Sequence, residues 1–298
     1  MTGIILLDKP KDITSFLAIA KVRRIVNEKK AGHTGTLDPM ATGVMPVVLG
    51  GATRFIDYLP SHDKTYRAKF VLGFKTDTLD ITGKVVDRFD IKADCNAVKT
   101  ALEGFVGEIE QLPPMYSAVL KDGVRLYELA RKGIEVEREK RRVTIYSARF
   151  DSYNEQNGEY EITVECSSGT YIRALVNDIG DALGCGAVLT QLQRTSANGF
   201  NIEDCLSLNE LEEKVKNGEI ESVVIPIEKA LESYSRVVVT QAQANRFRNG
   251  GELDIERLKI ENVPGIYTAF SPENEFLGLG QIIQDSDSLK VKKVFVKK

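Results

Sequence analysis

Glycine and proline punctuate the run Gly32-His33-Thr34-Gly35-Thr36-Leu37-Asp38-Pro39 and its continuation Ala41-Thr42-Gly43, which makes this stretch a loop rather than the middle of a helix or strand. Gly32, Gly35 and Gly43 can adopt positive φ and admit a second backbone or a ligand at close range, while Pro39 turns Asp38 away from the α region. A single carboxylate is thereby presented on a loop, as reactive side chains are. An Asp-Pro step also starts ordinary turns, so the spacing alone leaves a packing role open.

Around the loop the patterning is mixed α and β. Thr14 or Ser15 is placed to cap a helix carrying Ile19, Val22, Ile25 and Val26 at helical spacing. Tyr66, Ala68, Phe70 and Leu72 alternate with Arg67, Lys69 and Val71, the pattern of a half-buried strand running to Gly73. Asp94 can cap a helix with Val98, Ala101, Leu102 and Phe105, and Tyr160, Ile162, Val164 and Cys166 alternate as a further strand. Ser168-Gly169-Thr170 then opens a helix with the stripe Ile172, Leu175, Val176, Ile179 and Leu183, which sets Arg173 beside the stripe in the first turn. Ser207-Leu208-Asn209-Glu210 is a capping-box pattern, Ile225-Pro226 breaks the chain, and a linker is expected near Ser233. Beyond it come a β-branched run from Val237, a helix begun by Thr240 with Gln243, a turn at Asn249-Gly250-Gly251, and strands over 266–270 and 276–280. Short strands with glycine turns suggest a small barrel.

A chain of 298 residues suggests about two domains and a sizeable core. No apolar run approaches the roughly 18 residues of a membrane helix. The start Met-Thr-Gly-Ile-Ile-Leu-Leu runs straight into Asp8 and Lys9, without the marks of a signal peptide, so a cytoplasmic protein is expected. Cys95, Cys166, Cys185 and Cys205 are widely spaced and only His33 and His62 offer imidazoles, which indicates neither a zinc site nor a disulfide framework. A formal net charge of −3 argues, at whole-chain level, against a nucleic-acid binder, so local clustering has to carry any such role.

The loop from Gly32 to Gly43 resembles the catalytic GHTGxLDPxATG motif of the TruB family of tRNA pseudouridine synthases. Lys64-Thr65-Tyr66-Arg67-Ala68, Thr76-Asp77-Thr78-Leu79-Asp80, Pro113-Pro114-Met115-Tyr116-Ser117-Ala118 and Ser168-Gly169-Thr170-Tyr171-Ile172-Arg173 resemble further family motifs in the same order. The resemblance is dense from about Gly3 to Thr195. It implies an α+β pseudouridine synthase fold, with a mixed, largely antiparallel sheet flanked by helices over residues 1–232. Residues 233–298, with their late Gly-Leu-Gly segment, resemble a PUA-type RNA-binding barrel, against the alternative of a stabilising or oligomeric β domain.

By this resemblance Asp38 is the catalytic aspartate, acting on a uridine in the T-loop of tRNA (position 55). Arg173 is its guanidinium partner, and Tyr66 is the tyrosine that stacks on the flipped base. Asp80 is implied to orient Arg173, His33 to contact RNA near the flipped base, and Leu192 to wall the base. Lys64 and Arg54, the latter where the family often has lysine, are further RNA-binding candidates. Isomerisation has no redox balance to meet, so no cofactor or metal is implied. Whether Asp38 attacks C1′ or removes the 2′ proton stays open.

Between Pro113 and Val143 the cations Lys121, Arg125, Arg131, Lys132, Arg138, Lys140, Arg141 and Arg142 are interleaved with Met115, Tyr116 and Tyr127 and diluted by acidic residues. That composition suits RNA as well as a solvated helix face. The segment, about 113–143, resembles the family's insertion that grips the tRNA T-arm, which implies a stand-alone monomeric enzyme without guide RNA. Lys290, Lys292, Lys293, Lys297 and Lys298 form a basic end of the kind that is usually solvated. Two other function classes fit the residues alone: an N-glycosidase pairing Asp38 with Asp77 or Asp80, and a non-catalytic RNA binder or chaperone.

Overall fold

The computed structural model describes residues 1–296. Lys297 and Lys298 of the basic end lie outside the described residues. The chain opens with β1 (Gly3–Lys9), α1 (Ser15–Ile25), β2 (Ala31–His33), β3 (Thr42–Leu49), β4 (Lys64–Leu72) and the short pair β5 (Phe74–Thr76) and β6 (Val85–Arg88). Next come α2 (Cys95–Glu103) and β7 (Gly107–Gln111), then the insertion with β8 (Leu120–Lys121), β9 (Val124–Arg125) and α3 (Leu126–Ala130). The centre of the molecule is closed by β10 (Arg141–Asn154), β11 (Glu159–Cys166), α4 (Ile172–Ala182), β12 (Ala187–Ala197) and β13 (Phe200–Asn201).

These strands build a nine-stranded sheet with the path β1-β3-β12-β4-β11-β10-β7, to which β2 and β13 attach at β3 and β12. Every pairing is antiparallel except β3 with β12, where Gly43 faces Arg194 in parallel register. That one parallel seam brings the strand that follows the Asp38 loop beside a strand from far along the chain. As the alternation predicts, Tyr66, Ala68, Phe70 and Leu72 are buried, and with Tyr160, Ile162, Val164, Cys166 and the α4 stripe they form the core cluster behind the cavity. A second cluster packs α1 against the end of the sheet formed by β1 and β3.

Thr14 caps α1, Asp94 caps α2, and Ser207 and Thr240 each close a full capping box. α4 starts later than its sequence suggests. Ser168-Gly169-Thr170 forms a turn, and the cap residue is Tyr171, which has no side-chain cap of its own. Its backbone N–H is taken instead by the side chain of Gln111, at 2.7 Å.

After α5 (Leu208–Lys216) and α6 (Ile227–Ala230) the chain enters a second sheet through a tight turn in which Tyr234 N–H bonds to the Leu231 carbonyl. It contains β14 (Ser235–Val238), α7 (Gln241–Arg248), β15 (Leu253–Asp254), α8 (Ile255–Leu258), β16 (Gly265–Phe270), β17 (Phe276–Ile282) and β18 (Ser288–Val294). The curled five-stranded order β14-β16-β17-β18-β15 is consistent with a PUA-like domain. It packs on the first sheet through an aromatic cluster in which Phe55 faces Phe276 at 5.7 Å and Phe295 at 6.0 Å.

Candidate active site

Asp38 sits on the loop between β2 and β3, and the end of β1 and the start of α1 fix that loop. Ser15 Oγ donates to the Leu37 carbonyl and accepts from the Leu37 N–H, both at 2.8 Å. Lys9, with no exposed surface, donates through Nζ to the carbonyls of Pro10 and Ile13 at 2.8 Å and of Pro39 at 3.4 Å. Burial pulls the Lys9 pKa down to about 8, against the opposing field of Asp38. Asp8 Oδ1 accepts from Gly43 N–H at 3.1 Å. Gly43 has φ +103°, and a Cβ there would lie 2.2 Å from the Arg194 carbonyl, so the β3–β12 seam requires glycine.

Arg173, in the first turn of α4, reaches Asp38 Oδ2 through Nε at 2.8 Å. Its Nη1 donates to the Thr78 carbonyl and its Nη2 to the Tyr116 carbonyl, each at 2.8 Å, with Asp80 Oδ2 at 3.7 Å from Nη1. One planar guanidinium thus ties together the Asp38 loop, the β5–β6 turn and the base of the insertion. Asp80 is itself engaged: Thr78 Oγ1, Thr82 N–H and Thr82 Oγ1 donate to it at 2.8, 3.0 and 2.5 Å. Burial pushes the Asp38 carboxyl pKa up, Arg173 pulls it down, and Asp80 adds to the rise, for a net upward shift. The Asp38 side chain keeps 35 % of its surface, enough to meet a substrate.

A cavity of about 330 Å³ opens over this pair, lined by Asp38, Arg173, Tyr66, Leu192, Lys64 and Tyr171 among others. Tyr66 and Leu192 are 6 % and 8 % exposed, so they offer one apolar surface to a planar ring. Burial raises the Tyr66 phenol pKa, with the nearby Arg194 cation working against the rise. The sequence-derived set therefore divides. Asp38, Tyr66, Arg173, Leu192 and Lys64 come together at the cavity, and Asp80 stands behind Arg173. His33 lies outside the lining, at the end of β2, where Nδ1 accepts from Gly35 N–H at 3.1 Å and burial lowers its pKa, keeping the ring neutral. Arg54 is exposed on the 3₁₀ segment Gly50–Tyr58, away from the cavity lining. Asp77 turns outward and accepts from Lys84 N–H, so with Asp80 occupied no second carboxylate among the described residues lines the cavity with Asp38, as the glycosidase alternative requires. Among the described residues no group of three or more His, Cys, Asp or Glu is placed to hold a metal ion.

The residues that hold this arrangement are ones the sequence reading passed over. Lys9 ends a strand that is buried and apolar over Gly3–Leu7, a place where a lysine has to find internal acceptors, and that is its available signal. Gln111 clamps Tyr171 from both sides, its Nε2 donating to the Tyr171 carbonyl at 3.0 Å, and nothing local marks it. Arg194 has no exposed surface although its strand neighbours are polar, and only the sheet order reveals this.

This geometry meets a family pattern. The model of the TruB family pseudouridylate synthase N-terminal domain matches residues 23–172, and that of the tRNA pseudouridylate synthase B C-terminal domain matches residues 173–232. The chain belongs to the TruB family. It is 42 % identical over 301 residues to tRNA pseudouridine synthase B of Clostridium tetani, covering 99 % of this chain and 100 % of that protein. With the Geobacter sulfurreducens protein of the same name, identity is 44 % over 251 residues, 84 % of this chain and 82 % of the relative. Among solved structures, a chain in a Cbf5-Nop10-Gar1 complex matches with TM-score 0.75 at 26 % identity, covering 99 % of this chain and 85 % of that one. A chain from an H/ACA RNP bound to a substrate RNA matches with TM-score 0.73 at 24 % identity, covering 99 % and 86 %, a likeness of fold. Among the described residues of this TruB-family chain no helix is long and apolar enough to cross a membrane.

Proposed function

We propose that this chain isomerises uridine to pseudouridine at position 55 in the T-loop of tRNA. The supporting observation is the Asp38–Arg173 pair, 2.8 Å apart, at the edge of a cavity floored by Tyr66 and Leu192, a space shaped for one unstacked nucleoside. The uracil ring rests against Tyr66 and Leu192 while the ribose meets Asp38. The carboxylate then acts either as nucleophile at C1′ or as base on the 2′ proton. The N1–C1′ bond breaks, the base turns, C5 joins C1′ as the carboxylate leaves it or as the 2′ proton returns, and C5 loses its proton beside Tyr66 while N1 gains one, so atoms and electrons balance without a cofactor. Arg173 holds Asp38 ionised and aimed, and Asp80 braces Arg173. Lys64, Arg54 and His33 contribute contacts to the RNA around the target.

Residues 1–232 form the catalytic domain, with residues 113–143 gripping the T-arm, and residues 233–298 form a PUA-like RNA-binding domain. The basic insertion side chains support this: Lys121, Arg125, Arg131 and Lys132 are all exposed. The enzyme acts as a monomer in the cytoplasm and needs no guide RNA. The test is incubation with unmodified tRNA, mapping pseudouridine by chemical derivatisation and primer extension. Release of free uracil, or unchanged RNA despite tight binding, refutes the proposal.

A further inference from the structure

Behind the loop that carries Asp38, two cations stand side by side; Lys64 feels Asp63, but among the described residues neither cation forms an ion pair. Arg194 is fully buried; its Nε donates to the Val44 carbonyl at 2.7 Å and its Nη2 to the Gly35 carbonyl at 3.1 Å, while Nη1 has no hydrogen-bond partner among the described residues. Lys64 Nζ donates to the His62 carbonyl at 2.9 Å and keeps further protons to give. The two groups converge on one point. A carbon built on Gly35 as a Cβ would lie 3.3 Å from Arg194 Nη1 and 3.9 Å from Lys64 Nζ, so a side chain at position 35 would fill the space they flank. Thr34 Oγ1, one residue earlier, is likewise buried and unpartnered among the described residues.

Sheet register explains the convergence. Arg194 pairs directly with Tyr66, and Lys64 lies two residues along the same strand, so Lys64, Tyr66 and Arg194 share one face. Thr34, Gly35, Lys64 and Tyr66 all line the cavity that holds Asp38. A buried guanidinium beside a second cation is costly unless an anion completes the set. Burial and the Arg194 field together push the Lys64 pKa down, as such crowding requires. Uracil and ribose are neutral. The only anionic part of a nucleotide in this cavity is a phosphodiester.

We infer that this corner is a phosphate subsite, in which Lys64 Nζ and Thr34 Oγ1 take an oxygen of an RNA phosphodiester beside the target nucleotide and Arg194 supplies a fixed positive field behind them. The inference rests on the proposed pseudouridine synthase activity and adds to it the anchor that registers the strand. The phosphodiester enters as the flexible Lys64 side chain leaves the His62 carbonyl.

The test is a T-arm stem-loop series in which one linkage at a time around the target uridine carries an uncharged methylphosphonate, on a 2′-deoxy nucleotide with a matched 2′-deoxy phosphodiester control. Binding is measured with the parent, Lys64→Gln, Lys64→Arg and Thr34→Val proteins. One linkage is expected to weaken binding by the parent about tenfold, about 1.4 kcal/mol, and to change Lys64→Gln less than twofold, because its partner is already gone. Lys64→Arg should retain the sensitivity, and Thr34→Val should reduce it. The salt slope of Lys64→Gln should fall by about one. If no linkage is selectively sensitive in the parent, or the losses from linkage and Lys64→Gln multiply at every position, the subsite is overturned. Pseudouridine formation on the unmodified stem-loop is scored separately: an inert parent refutes the activity, whereas an active parent without the coupling refutes the subsite alone.

Discussion

Gln111 is the residue whose replacement most directly tests how Arg173 is aimed. It is 1 % exposed at the end of β7 and bonds both the N–H and the carbonyl of Tyr171, at 2.7 and 3.0 Å, two residues before Arg173. Gln111→Met keeps the volume and removes both bonds, leaving the Tyr171 N–H unmet while the Tyr171 carbonyl keeps its bond from Leu175 N–H at 3.0 Å. With roughly 1–3 kcal/mol for one unsatisfied group, stability should fall by about 1–3 kcal/mol. That corresponds to a drop in Tm of roughly 2–12 °C. The turn that starts α4 then loosens, and a displacement of about 1 Å in a catalytic group costs about a hundredfold in rate. Single-turnover pseudouridine formation at saturating tRNA should show that loss while the Kd stays within about threefold. Gln111→Glu sharpens the test, because an ionised carboxylate still accepts from Tyr171 N–H but repels the Tyr171 carbonyl. Its rate should recover as falling pH protonates it. A Gln111→Met protein with parental Tm and parental rate, or with its loss confined to Kd, would falsify the clamp.

Asp38→Asn keeps loop geometry and removes the charge, so turnover should vanish while tRNA affinity stays within about tenfold, measured by filter binding. Arg173→Lys retains the cation, but one Nζ cannot span Asp38, Thr78 and Tyr116 together; the single-turnover rate should drop far more than the affinity, and a parental rate would remove Arg173 from the mechanism. The pH–rate profile should be bell-shaped: Asp38, raised above 3.8, must be ionised, so rate is lost as pH falls through its pKa. Lys9 must be charged, so rate is lost as pH rises through about 8, and Lys9→Met should lack that alkaline limb. Replacing Lys121, Arg125, Arg131 and Lys132 by Ala should weaken tRNA binding and flatten its salt dependence, and unchanged values would return the insertion to a solvated surface.

Much of the fold could be read in the chain because period and capping chemistry agree locally. β4, β11 and the body of α4 are where alternation and the helical stripe put them, and four caps use the side chains foreseen. What escaped is non-local. The start of α4 depends on a glutamine 60 residues away, which no window around Ser168 contains. β18 is hidden in the sequence because its lysines obscure the alternation of Leu289 and Val291, both packed in the core of the second sheet. Asp38, Tyr66 and Arg173 were found through motifs, whereas Lys9 and Arg194 become visible only when the β1-β3-β12 order buries them.

The charge of the chain shows why composition and site pointed in different directions. A net charge of −3 opposes a polyanionic substrate in bulk, yet Lys9, Lys64, Arg173 and Arg194 surround one short loop, with Asp8, Asp12, Asp38, Asp63 and Asp80 as neighbouring carboxylates. Two of those carboxylates are committed to internal donors, Asp8 to Gly43 and Asp80 to Thr78 and Thr82. Asp38 faces the cavity paired with Arg173, while Lys9, Lys64 and Arg194 are held by backbone carbonyls. Carbonyl oxygens fix those three cations in place without neutralising them, so their field at the cavity survives where a salt bridge would have cancelled it. Surface acidity elsewhere then costs little, because screening over about 10 Å confines it while the buried charges act at contact range. Distribution, rather than the sum, is what fits this chain to RNA.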